Sequence, residues 1–113
     1  MILGIECTAH TFGIGIVLKG KVLANVKYMY KTKKGGIIPL EAAKHHRETV
    51  ERIYNEVLTK TGITEEKIRA IALSNAPGLA PCLLEGLKFA REKARKLDIK
   101  IIPVNHCIAH LEI

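Results

Sequence analysis

His106 and His110 are the residues most able to do chemistry in this sequence. Four positions apart, they share one face if the stretch Asn105-His106-Cys107-Ile108-Ala109-His110 is helical, and two imidazoles so placed could hold one metal ion. The same pair could instead cap, pack or stand in solvent, and an ion would need further ligands; His10 and Glu112 are the candidates. Near the start, Cys7-Thr8-Ala9-His10-Thr11 offers two hydroxyls and an imidazole, either as a small-molecule contact or as an ordinary polar hairpin loop. A third stretch, Asn75-Ala76-Pro77-Gly78-Leu79-Ala80-Pro81-Cys82, could present backbone N–H groups and a helix N-terminus to a phosphate or carboxylate. It lacks the lysine of a P-loop, and a plain strand-to-helix connection has the same composition.

The elements that must position these residues follow from periodicity. Met1 to Glu6, Phe12 to Lys19 and Val22 to Tyr30 are short β-branched or alternating runs, so the chain opens with a meander whose second turn is Lys19-Gly20-Lys21. Pro39 suits a first helical turn, and Ala42, Ala43, His46, Val50, Ile53 and Val57 recur at helical spacing until Thr61-Gly62. Adjacent His45 and His46 diverge by about 100° around that axis, which leaves His46 as a core histidine rather than a ligand. Thr64-Glu65-Glu66 reads as a short capped turn. Ala70 to Ser74 reads as a strand buried on both faces; a second helix carries Leu83, Leu87, Ala90, Ala94 and Leu97 inward, with Lys88, Arg91, Lys93, Arg95 and Lys96 outward; Ile99 to Val104 is another buried-type strand.

The order is therefore βββαβαβ followed by the start of a helix, an α/β domain with a mixed sheet. Single-helix crossovers make strands one, four and five parallel. Their carboxyl ends carry the three stretches above, on the edge where open α/β sheets bind ligands. There His10 could approach His106 and His110.

Composition bounds the partners. The chain has 113 residues, enough for one core, and its net charge of +7 suits a polyanion such as RNA as well as a plain basic surface. From Lys19 to Lys34 there are six lysines and no acid, as on an anion-docking segment or a protected edge strand. Three cysteines without framework spacing, no signal peptide and no membrane-length apolar run imply a reducing, cytoplasmic setting without a membrane partner.

Four stretches together resemble the KEOPS/TsaD family in its archaeal-eukaryotic branch, formerly called the glycoprotease or O-sialoglycoprotein endopeptidase family. They are Ile5 to Thr11, Gly35 to Ala43 with His45-His46, Pro77 to Leu83, and Val104 to Ile113, in the family's order. The resemblance runs the length of this chain but covers about the first third of the usual protein. It implies residues 1–113 as the N-terminal lobe of an actin-like (ASKHA, ribonuclease H-like) fold. It also implies a part in threonylcarbamoyl transfer from threonylcarbamoyl-AMP to an adenosine of tRNA near the anticodon. By that resemblance His106 and His110 hold a divalent metal, iron or zinc; Glu6, Thr8 and His10 face the substrate, with Glu6 and His10 as catalytic candidates; Pro77 and Gly78 line the cleft. Implied partners are tRNA, threonylcarbamoyl-AMP or another adenine nucleotide, other KEOPS subunits, and a complementary C-terminal lobe without which the chain is inactive. Cys7 replaces the family's usual glycine, Ile38-Pro39-Leu40 its usual His-Pro-basic run, and Ala76 and Ala80 two further glycines.

Rival readings are weaker or narrower. Zinc peptidases with a His-x-x-x-His pair need a glutamate after the first histidine, where this chain has Cys107. A sugar or acetate kinase lobe needs an aspartate-bearing phosphate loop, which the first hairpin lacks. A non-catalytic tRNA- or protein-binding module derived from the family stays open.

Overall fold

In the computed structural model the strands are β1 (Ile2–Glu6), β2 (Thr11–Leu18), β3 (Lys21–Met29), β4 (Ala70–Ala76) and β5 (Lys100–Asn105), and the helices α1 (Pro39–Thr61), α2 (Ala80–Leu97) and α3 (His106–Glu112). The structure describes residues 1–32, 35, 36 and 38–112, without the side chain of Glu112. Lys33 and Lys34 of the basic segment, Ile37 of the Gly-Gly-Ile motif, the Glu112 carboxylate and Ile113 lie outside the described residues.

The sheet has the order β3-β2-β1-β4-β5. β1 pairs antiparallel with β2 and parallel with β4, and β4 pairs parallel with β5, as the crossovers require. Lys19 and Gly20 join β2 to β3 with φ of 50° and 80°, the double positive φ that matches a two-residue hairpin turn to strand twist. Pro39 opens α1 with its φ preset, and Gly62 closes it in the left-handed conformation.

Both long helices cover one face of the sheet. Leu3, Ile5, Phe12, Ile14, Ile16, Ile71 and Leu73 from alternate strand positions meet Ile53, Tyr54, Val57, Phe89 and Ala90 in one core. The alternate residues of the other face, among them Gly4, Gly13, Gly15, Ala72 and Ser74, line an open groove of about 480 Å³ with His106 and His110 at its end.

This one-sided cover alters three expectations. β4 is not buried on both faces: Ile71 and Leu73 are buried while Ala72 and Ser74 are only half-buried, because no described helix packs over them. β5 is an edge strand, and Ile102 is 38% exposed despite the apolar run. Lys93 does not stand in solvent with the other basic residues of α2; its ammonium lies 4.5 Å from the ring centre of Tyr54 and 5.4 Å from that of Phe89, its aliphatic stem buried between the helices. No helix among the described residues is long and apolar enough to cross a membrane.

Candidate functional site

The site gathers where β1, β4 and β5 end together. Asn105 closes β5, and its side-chain oxygen accepts the backbone N–H of Ile108, capping α3. That cap starts the helix on His106, so His110 follows one turn later on the same side, with the two ring centres 4.5 Å apart and nearly perpendicular.

Glu6, the last residue of β1, is the hub. Its Oε1 accepts the backbone N–H of Thr8 at 3.0 Å and the Thr8 hydroxyl; its Oε2 accepts the Ser74 hydroxyl at 2.7 Å and lies 2.9 Å from His106 Nδ1. Burial pushes the Glu6 carboxyl up, but the hydrogen bonds from Thr8, Ser74 and His106 outweigh it and hold the group below the ordinary glutamate value. A carboxylate is acceptor-only, so in this contact Nδ1 of His106 carries a proton.

The loops beside the hub are braced rather than open. Leu79 N–H donates to the Thr8 carbonyl at 2.7 Å, and a Cβ on Gly78 would stand 2.6 Å from that carbonyl oxygen. Gly78 therefore serves a close backbone approach, which only glycine permits. His46 is fully buried on α1 and lies 2.6 Å from the Ala9 carbonyl, in keeping with the core role read from its spacing. Cys7 is buried as well; its thiol donates to the Cys82 carbonyl at 2.9 Å, and burial followed by the neighbouring Cys82 pushes its ionisation far up, so it is no nucleophile.

The sequence-derived residues are thus brought to one sheet edge, with one correction. His10 does not complete a cluster with His106 and His110: among the described residues no group of three His, Cys, Asp or Glu side chains could hold a metal ion. The carbonyl of His10 instead accepts the Tyr30 N–H at 2.7 Å, which fixes the loop toward β3, away from the β4 and β5 side of the sheet where the His pair sits. Sequence reasoning misses Ser74, although a hydroxyl near the carboxyl end of a mostly apolar strand is a usable signal.

The family model of tRNA N6-adenosine threonylcarbamoyltransferase, TsaD, matches residues 21–113. The chain belongs to the TsaD family. A TsaD-family relative from Thermofilum pendens, a tRNA N6-adenosine threonylcarbamoyltransferase, is 48% identical over 113 residues, a match covering 99% of this chain and 34% of that protein. The protein of the same description from Thermococcus gammatolerans is 51% identical over 111 residues, covering 98% of this chain and 34% of the relative. This chain therefore spans about a third of the length of the curated relatives it matches. Among solved structures, YeaZ from Pseudomonas aeruginosa superposes with a TM-score of 0.75 at 12% identity over 92% of this chain and 43% of its own. RuvC from T. thermophilus does so at 0.54 and 17% identity, over 94% of this chain and 64% of its own. At those identities the likeness shows fold alone, and that fold is the actin-like, ribonuclease H-like one expected for the TsaD family.

Proposed function

We propose that this chain is the N-terminal lobe of a tRNA N6-adenosine threonylcarbamoyltransferase, competent only with a complementary C-terminal lobe. The reading rests on family membership, and the observation that carries it is the Glu6–His106–His110 constellation at the carboxyl ends of three parallel strands. In this reading His106 Nε2 and His110 hold one divalent ion, iron or zinc. The donor set fits half of such a shell: two neutral-capable imidazoles one turn apart, one of them already held by a carboxylate through its other nitrogen. When bound, the ion supplies Lewis-acid polarisation of the threonylcarbamoyl carbonyl.

The chain's own groups orient and exclude. Glu6 fixes His106; Thr8, whose hydroxyl proton is given to Glu6, offers a substrate only a lone pair; Pro77 and Gly78 hold the Thr8 backbone in place along the cleft. His10, half-buried in the loop after β1 on the β3 side of the His pair, is assigned as a second catalytic contact with the substrate rather than as a ligand of the ion. The proposed partners are tRNA, threonylcarbamoyl-AMP or another adenine nucleotide, a complementary C-terminal lobe and other KEOPS subunits, in the cytoplasm. The test is metal content of the chain co-expressed with the remaining two thirds of a relative. Stoichiometric metal that vanishes in the His106→Ala/His110→Ala variant supports the reading, and turnover of tRNA by the 113-residue chain alone defeats the need for a second lobe.

One observation favours a second reading, a non-catalytic RNA-binding module: Lys88, Arg91 and Arg95 line an exposed basic surface on α2. It expects metal-free protein whose RNA affinity falls steeply with salt, with a shallower slope in Arg91→Ala/Arg95→Ala.

A further inference from the structure

Every acceptor position of the Glu6 carboxylate is taken. Thr8 N–H and Thr8 Oγ1 fill Oε1; Ser74 Oγ and His106 Nδ1 fill Oε2. A carboxylate has about four lone-pair sites. A group so saturated cannot abstract a proton or bind an ion without giving up a bond it already makes. What it can do is hold its donors still; two of them, Ser74 and His106, line the open groove, and the imidazole stands there beside His110.

We infer that Glu6 and Ser74 are positioning residues that fix His106 as its Nδ1–H tautomer and aim the bare Nε2 at the space shared with His110. Thr8 holds one oxygen of the carboxylate, and Ser74 the other. Ser74 sits on β4, whose backbone is paired to both β1 and β5, so its hydroxyl ties the strand that carries Glu6 to the strand that leads into His106. Ser74 and His106 are 68 and 100 positions from Glu6 in sequence. Sheet register alone brings them together.

Without the carboxylate, nothing in the described site would impose a tautomer on His106, and a large share of its neutral population would present N–H instead of a lone pair to whatever lies beside His110. Carboxylates that orient metal-binding imidazoles in this way raise metal affinity by roughly 10–100-fold. The inference rests on the metal reading above for its purpose, but its geometry can be tested without metal.

The experiment is long-range ¹H–¹⁵N correlation of the imidazole nitrogens in the metal-free chain, at a pH well above the ordinary histidine pKa, followed by zinc titration of the same sample. The expected result is a His106 signature with protonated Nδ1 and unprotonated Nε2. In Glu6→Gln the carboxamide can turn its NH₂ group to Nδ1, and the signature reverses; in Ser74→Ala, a smaller change inside a half-buried strand, the Nδ1–H population falls while the backbone amide spectrum stays folded. A predominantly Nε2–H His106 in the parent chain overturns the inference, as does a tautomer ratio that is the same in folded Ser74→Ala and Glu6→Gln as in the parent. Zinc that perturbs neither His106 nor His110, in a chain with the expected tautomer, sinks the metal reading and leaves the positioning role standing. Zinc bound by a chain with the opposite tautomer does the reverse.

Discussion

The Nε2 of His46 lies 2.6 Å from the carbonyl oxygen of Ala9, so the buried face of α1 is tied directly to the loop that follows β1. A carbonyl can only accept, so His46 carries its proton on Nε2 and leaves Nδ1 to accept from His45, whose own Nδ1 is 3.3 Å away. The adjacent histidines thus form a chain of contacts from α1 to the loop after β1.

His46→Ala should therefore destabilise the fold by about 2–4 kcal/mol, combining a cavity under Phe12 with an unpaired Ala9 carbonyl. Urea unfolding measures it. Burial lowers the basicity of His46, the nearby His45 adding to this and the Ala9 bond opposing it; burial also lowers that of His45. With the folded value below the unfolded one, the unfolded chain binds more protons, so the contribution is complete above about pH 6.5 and shrinks as pH falls below it. The His46→Ala variant should show a flatter stability profile across that window. An unchanged slope would show that His46 is not held neutral by the fold.

Gly78→Ala should cost about 1–3 kcal/mol, since the new Cβ would meet the Thr8 backbone, with its oxygen at 2.6 Å, and backbone cannot swing aside as a side-chain tip can. Gly86→Ala meets the Cys7 Cβ at 2.9 Å and should cost a similar amount. Thermal unfolding of the two variants decides the matter. A Gly78→Ala protein as stable as the parent would mean that the Pro77–Leu79 loop is not seated on Thr8.

Tyr54 should resist ionisation until the chain unfolds. Burial raises its phenol most, and the Glu65 carboxylate that accepts its O–H at 2.7 Å, itself paired with Lys96 at 2.6 Å, raises it further. Alkaline difference absorbance should show a tyrosine phase that titrates only with loss of helical circular dichroism. In Tyr54→Phe that late phase should be missing, at a stability cost of about 1 kcal/mol.

Lys93→Met should be tolerated within about 1 kcal/mol or raise stability, because the desolvated ammonium pairs with the exposed Glu51 at 3.7 Å, and methionine fills the same slot beside Tyr54 and Phe89. Glu51→Ala should cost more than Lys93→Met, since it strips the buried charge of its carboxylate, and should become neutral when combined with Lys93→Met. Chemical denaturation of the two single variants and the double variant closes the cycle. A Glu51→Ala variant as stable as the parent would mean that the aromatic rings alone satisfy the ammonium.

Much was legible in the chain itself. The two-residue turn at Lys19-Gly20, the Pro39 and Gly62 bounds of α1, the parallel run of β1, β4 and β5, and the one-turn spacing of His106 and His110 are local or depend only on the handedness of crossovers, and local periodicity records such things. What tertiary structure decided is which partners those residues meet. Ile71, Ala72 and Ile102 look equally apolar in sequence, yet only the placement of both long helices on one face makes Ile71 core, Ala72 groove and Ile102 edge. Lys93 reads as one more surface lysine of α2 until α1 packs over it. His10 reads as a third ligand until the loop turns its backbone to Tyr30. And Glu6, Ser74 and His106 become one unit only because sheet order sets β4 between β1 and β5. A hydrogen bond between side chains 100 residues apart leaves no periodic trace in either segment; it exists because strand register brings the two within 2.9 Å.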